Sequence, residues 1–151
     1  MRILFVSPRQ GWPFVSGAKI REYHFLRALG ERCRVTYVYF REPAFDAPRP
    51  QDLPFCEDIV SVPSPHAYSP GRLVSGLIGR WPLPVLNYTS HAMTDVIRRL
   101  CSAEPFDAVH FDGIHMAAYA PLIHSILRFS LGAFRGTIHE AVKEPVRSVN
   151  R

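Results

Sequence analysis

The sequence predicts an α/β fold in which a doubly wound parallel sheet is covered by helices on both faces. Three observations indicate it. Short apolar runs of strand length stand at 2–6, 34–40 and 106–111, amphipathic helical patterns lie between them, and a glycine-containing loop opens a helix directly after the first run. Strands that alternate with helices favour a parallel sheet, and 151 residues suit one domain.

The first elements form a predicted βαβ unit. Residues 2–6 (RILFV) are a continuous apolar run, typical of a strand buried on both faces. Ser16 is the predicted N-cap of a helix over 17–29, and Gly30 its predicted C-terminal stop. The apolar stripe of this helix consists of Phe25, Leu26 and Leu29. Residues 34–40 (RVTYVYF) are rich in β-branched and aromatic side chains and predict the second strand.

The middle of the chain predicts loop. Nine of the 14 prolines fall between Glu42 and Pro84, and proline removes strand hydrogen bonds and breaks helices. A short strand is predicted at 58–62 and a weak helix at 71–80 (GRLVSGLIGR).

The later elements repeat the alternation. Ser90 is a predicted N-cap, and behind it apolar residues follow the helical spacing i, i+3, i+4, i+7: Met93, Val96, Ile97 and Leu100. The strand over 106–111 comes next, then a helix from 116 to about 129 and a last strand at 136–139. Together these elements predict a Rossmann-like sheet.

Composition excludes several classes of protein. The three cysteines, Cys33, Cys56 and Cys101, are widely spaced and in no CxxC, so neither a disulfide framework nor a metal site is expected. This pattern favours a reducing cytoplasm. The net charge of +5 is scattered rather than gathered in a stripe, so we expect no nucleic-acid partner. Positive charge that is spread over the surface is better suited to binding nucleotide phosphates or an anionic membrane surface.

Hydropathy predicts no membrane span, because no apolar run approaches the roughly 18 residues that a span needs. The N-terminal MRILFVSP is too short for a secretory apolar region. Residues 117–134 are largely apolar, and two interpretations stay open for them. They pack in the core, or they form a peripheral helix at the inner face of the membrane.

Two loops are candidate ligand sites, because ligands of open α/β sheets bind at the carboxyl ends of the strands. The first, 7–17, is neither a Walker A loop nor a GxGxxG motif. It does place Gly17 at a helix start, where backbone amides favour an anion, with Lys19 and Arg21 just behind. The alternative is a turn glycine followed by solvated basic residues.

The second loop, 112–115, places Asp112 at a strand end and His115 at a helix start. His115 is a candidate for a hydrogen bond to a substrate hydroxyl, or else it is a structural histidine bonded to backbone. His110, inside the strand, is predicted to belong to the core. There is no GxSxG motif, and the sequence that begins as HExxH at His139 has Lys143 in its fifth position.

The order of these motifs resembles a known family. Residues 1–40 (MRILFVSPRQGWPFVSGAKIREYHFLRALGERCRVTYVYF), 71–100 (GRLVSGLIGRWPLPVLNYTSHAMTDVIRRL) and 104–121 (EPFDAVHFDGIHMAAYAP) resemble the opening of bacterial GT-B glycosyltransferases of the retaining, GT4-like group (glycosyltransferase family 4). The resemblance covers residues 1–121.

The resemblance implies two Rossmann-like domains, of which the first mainly receives the acceptor and the second holds the nucleotide sugar. Gly17 and Ala18 would form the phosphate loop, Arg21 a charge near the cleft, and His115 a contact to the sugar or acceptor. Ala18 stands where a second glycine is commoner in the family. The partners implied are a nucleotide sugar and a glycan or lipid-linked acceptor, as in the biosynthesis of cell-envelope polysaccharides, without metal or cofactor.

We therefore expect residues 1–151 to form one acceptor-side domain that lacks its donor-binding partner. The chain would be a piece of a longer enzyme or the product of a truncated or frameshifted gene, inactive alone and able to pair as a homodimer. Two alternatives are a non-catalytic Rossmann-like binding module and an NAD-type oxidoreductase domain, and the missing glycine motif disfavours the second.

Overall fold

The computed structural model describes residues 1–65, 85 and 87–123. In this part of the chain four strands and two α-helices follow one another: β1 (Arg2–Ser7), α1 (Gly17–Gly30), β2 (Arg34–Arg41), β3 (Asp58–Pro63), α2 (His91–Ala103) and β4 (Ala108–Phe111). Two short 3₁₀ segments, Pro50–Asp52 and Ile114–Tyr119, lie in the connections.

The strands form one parallel sheet in the order β3-β2-β1-β4. The register places Val6 beside Val38 of β2 and beside Phe111 of β4. The order reverses at β1, since the chain runs outward through β2 and β3 and then returns to add β4 on the other side. A reversal of this kind opens a crevice at the carboxyl ends of β1 and β4, the two strands on either side of it.

Two apolar cores cover the opposite faces of the sheet, because successive side chains of a strand point to opposite sides. On one face Leu4, Val6 and Val38 pack with Met93 and Ile97 of α2. On the other face Phe5, Val35 and Tyr37 pack with Leu26 of α1. Helices on both faces of a parallel sheet make this the doubly wound, Rossmann-like α/β fold that the sequence predicts.

Of the predicted helix caps, the N-cap of α1 is confirmed, the N-cap of α2 lacks a side-chain bond, and the C-terminal stop of α1 is different. The Ser16 hydroxyl accepts a hydrogen bond from the Lys19 amide at 3.4 Å, which confirms it as the N-cap of α1. Ser90 occupies the N-cap position of α2 without a side-chain cap bond. Gly30 is the last residue of α1 rather than a left-handed stop, and the C-cap is Glu31 with a helical φ of −66°.

Gly30 has a packing role instead. A Cβ built on Gly30 would overlap the carbonyl oxygen of Phe55 and lie 2.8 Å from the Cβ of that residue. The connection between β2 and β3 therefore passes directly over the end of α1, and only a residue without a side chain leaves room for it.

The predicted helix from residue 116 is found in part, and the two remaining predicted elements lie outside the described residues. The predicted helix from residue 116 begins as the 3₁₀ segment Ile114–Tyr119 and turns helical at residues 120–123. Its continuation to 129, the weak helix at 71–80 and the strand at 136–139 lie outside the described residues, as does most of the apolar segment 117–134.

Candidate functional site

The carboxyl ends of β1 and β4 hold the two loops that the sequence singles out. The Asp112 amide donates to the Val6 carbonyl at 2.9 Å, so the loop after β4 starts directly beside the end of β1. Gly113 follows with a φ of 79°, a conformation that glycine adopts at little cost. The chain then turns into the segment that carries His115.

Arg21 and Asp112 join the start of α1 to the loop after β4. Nη2 of Arg21 donates to both carboxylate oxygens of Asp112, at 2.9 and 3.3 Å. The Asp112 side chain is 11% exposed and that of Arg21 is 67% exposed. The pair thus has a fixed, buried carboxylate on one side and a guanidinium that faces solvent on the other. Arginine in this setting offers further N–H donors to a carboxylate or phosphate.

His115 lies close to the same strand ends. Its ring packs edge-on against Tyr88 with 5.1 Å between ring centroids. Its Nδ1 is buried and has no hydrogen-bond partner among the described residues. A Cβ on Gly113 would lie 3.6 Å from that nitrogen, at ordinary van der Waals contact. The predicted role of His115 in catalysis stays a prediction.

Gly17 and Ala18 occupy the first turn of α1, where unpaired amides and the helix dipole favour an anion. Gly17 is exposed and has open space where a Cβ would stand. No described atom therefore requires glycine here by close approach. Phosphate binding at these two residues stays a prediction from the sequence.

Lys19 lies in the first turn of α1 but is buried, with 3% of its surface exposed. Its ammonium pairs with the Glu42 carboxylate and lies 4.2 Å from the centroid of the Phe45 ring. Both partners belong to the connection after β2, so Lys19 fixes that connection against α1. This contact gives Lys19 a structural role, and a role toward phosphate stays a prediction.

Hydrogen bonds from buried polar side chains fix the loop after β1. The Gln10 amide nitrogen donates to the carbonyls of Trp12 and Asp46, and its oxygen accepts from the Glu42 amide. The Gly11 amide donates to the Tyr37 hydroxyl at 2.9 Å. The Trp12–Pro13 peptide bond is cis. These bonds define the path of the backbone from the strand to the helix.

Glu22 lies beneath this loop and is 1% exposed. Its Oε1 accepts from the Tyr37 hydroxyl at 2.7 Å, whereas its Oε2 is buried and has no hydrogen-bond partner among the described residues. Burial raises the pKa of Glu22 to about 7, and the Asp112 carboxylate adds to the rise. The hydroxyls of Ser7 and Tyr37 and the charge of Arg9 act in the opposite direction. A carboxyl group of this kind holds or releases its proton near neutral pH.

His110 is half-buried and packs against aromatic side chains, so the prediction that it belongs to the core is confirmed only in part. Its ring lies 4.6 Å from that of Phe5 and 5.0 Å from that of Phe25, measured between centroids. Burial lowers the pKa of His110 below 6.5, although Asp112 opposes the shift.

The sequence reasoning identified Arg21, Asp112 and His115 but missed Glu22 and Tyr37. A signal for Glu22 was present, because the inward face of α1 is Lys19, Glu22 and Leu26, spaced i, i+3, i+7. A carboxylate within a buried stripe indicates a partner or a proton. Tyr37 gave no signal, since an aromatic residue in a buried strand is ordinary.

Two cavities lie beside the connection between β2 and β3. One of about 290 Å³ is lined by residues 41 and 43–47, and one of about 350 Å³ lies beside β3 and includes Cys56. Among residues 1–65, 85 and 87–123, no three His, Cys, Asp or Glu side chains come together as a metal site. No helix within those ranges is long and apolar enough to cross a membrane.

Comparisons with protein-family models, with curated proteins and with solved structures each found no match. The α/β fold is thus shown by the described strands and helices. An assignment of function has to be argued from the geometry of the site.

Proposed function

We propose that the chain is the acceptor-side domain of a retaining GT-B glycosyltransferase. Such an enzyme transfers a sugar from a nucleotide sugar to a glycan or lipid-linked acceptor, with a nucleoside diphosphate as the leaving group. The observation that carries the proposal is the contact between Arg21, near the start of α1, and Asp112 in the loop after β4. It supports a ligand site at the strand ends, where this fold class binds its ligands.

The hydrogen-bond donors and acceptors at the carboxyl ends of β1 and β4 are suited to a phosphorylated sugar. The exposed guanidinium of Arg21 and the amides at the start of α1 are donors for phosphate oxygens. The Asp112 carboxylate, which is 11% exposed, can accept a hydrogen bond from a sugar hydroxyl. In this proposal the second domain supplies the remaining contacts to the nucleotide, and the enzyme works in the cytoplasm.

Ligand-observed NMR on the 151-residue chain tests the proposal. The probes are UDP-glucose and GDP-mannose for the donor, octyl β-glucoside for the acceptor, and NADH for a dinucleotide. We expect a sugar nucleotide or the octyl glycoside to bind, with a dissociation constant on the order of millimolar for a half site. Arg21→Ala should abolish the sugar-nucleotide signal. Arg27→Ala, which removes an exposed arginine further along α1, should leave it unchanged.

Two results would contradict the proposal. Binding of NADH without binding of either sugar nucleotide would favour an oxidoreductase domain. Binding of none of the four probes would favour a non-catalytic module of the same fold.

A further inference from the structure

The Tyr37 hydroxyl connects Glu22 to the loop after β1. It lies 2.7 Å from Oε1 of Glu22, 2.9 Å from the Gly11 amide nitrogen and 3.1 Å from the Arg9 carbonyl oxygen. The Gly11 amide donates to the hydroxyl, which leaves Glu22 and the Arg9 carbonyl as its two acceptors. A phenol carries one proton and can serve only one of them fully.

The protonation state of Glu22 decides between the two acceptors. When Glu22 is ionised, its carboxylate accepts the hydrogen bond from the Tyr37 hydroxyl, and the Arg9 carbonyl receives none from that hydroxyl. When Glu22 is protonated, the carboxylic acid donates to the Tyr37 oxygen, and the hydroxyl turns its own proton to Arg9. The protonated state therefore adds one hydrogen bond between the sheet and the loop.

The groups around Glu22 have defined effects on this choice. From the loop after β4, the Asp112 carboxylate disfavours a second negative charge, whereas Arg9 favours it. From β1 the Ser7 hydroxyl also favours the ionised form, and from β2 Tyr37 does the same. Burial outweighs these contributions, so the proton is held to about neutral pH.

The other charged groups around Glu22 are either paired with another side chain or have a lowered pKa. On α1 itself, Arg21 is bonded to Asp112 and Lys19 to Glu42. From β4, His110 is coupled to Asp112 and Arg21, and its pKa lies below 6.5. The His110 titration is therefore expected at a lower pH than that of Glu22.

We propose that Glu22 is a positioning residue for the loop after β1. Its proton completes the chain of hydrogen bonds from Glu22 through Tyr37 to Arg9, and this chain holds the loop in the conformation that binds an anionic ligand. Loss of the proton frees the Arg9 carbonyl and adds negative charge beside Asp112. The effect on ligand binding rests on the proposed function, whereas the effect on the loop does not.

NMR on the full chain without ligand tests the positioning role. The carboxyl ¹³C shift of Glu22 and the amide shifts of Gly11 and Gln10, whose nitrogen is bonded to the Arg9 carbonyl carbon, are followed between about pH 5.5 and 8.5. We expect all three to titrate with one shared midpoint near 7, distinct from the His110 midpoint. Flat Gly11 and Gln10 amides across this range, or amides that follow His110 instead, would overturn the proposal.

A matched pair of variants sharpens the result. Glu22→Gln keeps the size of the side chain and its ability to donate to and accept from Tyr37, so both loop amides should lose their titration. Glu31→Gln removes one exposed carboxylate after the end of the same helix and should leave the titration unchanged. If Glu22→Gln does not fold, the shared midpoint in the native chain still decides the question.

UDP-glucose affinity distinguishes the two proposals, because its diphosphate diester does not titrate in this range. We expect affinity to fall on the order of tenfold between about pH 6 and 8 in the native chain, and to stay level in Glu22→Gln. Amides that titrate while neither sugar nucleotide nor octyl β-glucoside binds would support the positioning role and contradict the proposed function. Binding that is independent of pH would overturn the link between Glu22 and the ligand.

Discussion

Arg21 and Asp112 connect two segments that are 91 residues apart in sequence, through two hydrogen bonds from one guanidinium nitrogen to both carboxylate oxygens. The carboxylate is buried and the guanidinium is exposed. We expect a coupling free energy of about 1 kcal/mol, because one partner is shielded from water while the other is not. A double-mutant cycle with Arg21→Ala and Asp112→Asn in urea measures it.

The pair Arg27–Glu31 is the matched control for this cycle. Both of its side chains are exposed, at 59% and 62%, and they lie four residues apart in sequence at the end of α1. Its coupling should be below about 0.5 kcal/mol. Equal coupling energies in the two cycles would contradict a special role for burial at Asp112.

Gly30 gives a direct test of the packing between α1 and the connection after β2. Gly30→Ala should destabilise the fold by about 2 kcal/mol, because the new methyl group overlaps the backbone of Phe55. Gly17→Ala begins the same helix in open space and should be neutral or stabilising by up to about 0.5 kcal/mol. Chemical denaturation of both variants checks the difference, and a neutral Gly30→Ala would show that Phe55 does not lie against the helix.

These two glycines show what the sequence could and could not predict. Apolar runs and helical spacing predicted β1, β2, β3 and α2 to within a residue or two, because periodic burial is a local property of the chain. The Gly30 contact depends on Phe55, which is 25 residues further on, and no local pattern contains it. The sequence therefore assigned Gly30 to the commoner role of a helix stop.

In the site, too, local sequence predicted some features, whereas others depend on contacts between distant residues. Arg21 and Asp112 could be predicted because strand ends and helix starts are readable and meet at one edge of a parallel sheet. Their pairing could not be, since it depends on how far the loop after β4 turns at Gly113. The buried cluster of Glu22 and Tyr37 depends on the register of α1 above β2, which only the folded chain fixes.

Glu22 predicts a specific dependence of stability on pH. Its pKa rises from 4.5 to about 7 on folding, so the folded state binds the proton more tightly. The contribution of Glu22 is fully present below pH 4.5 and is lost as the pH rises to about 7, above which it is constant. The loss amounts to about 3 kcal/mol.

The difference between native chain and Glu22→Gln isolates this contribution, because groups that do not interact with Glu22 titrate equally in both. Urea denaturation across that pH range should show the native chain losing stability relative to the variant. Glu31→Gln should follow the native chain, since Glu31 is exposed. A constant difference between native chain and Glu22→Gln would contradict a proton bound by the folded state.

Cys56 predicts a difference in thiol reactivity. Burial raises the pKa of Cys56 from 9.0 to about 12, so the folded protein should hold roughly a thousandfold less thiolate at this residue at about pH 8. Iodoacetamide labelling followed by mass spectrometry should find Cys56 nearly unmodified in the folded chain and readily modified in urea. Equal labelling rates in the two conditions would show that the thiol is accessible and ionised.

Mapping a sugar nucleotide onto the sheet tests the central claim, that the ends of β1 and β4 form a ligand site. UDP-glucose is added to the uniformly ¹⁵N-labelled chain and the amide shifts are recorded. We expect the largest changes at Gly17, Arg21, Asp112 and His115, and their loss in Arg21→Ala. Changes confined to the cavities that residues 41–61 line, or changes that persist in Arg21→Ala, would contradict the claim.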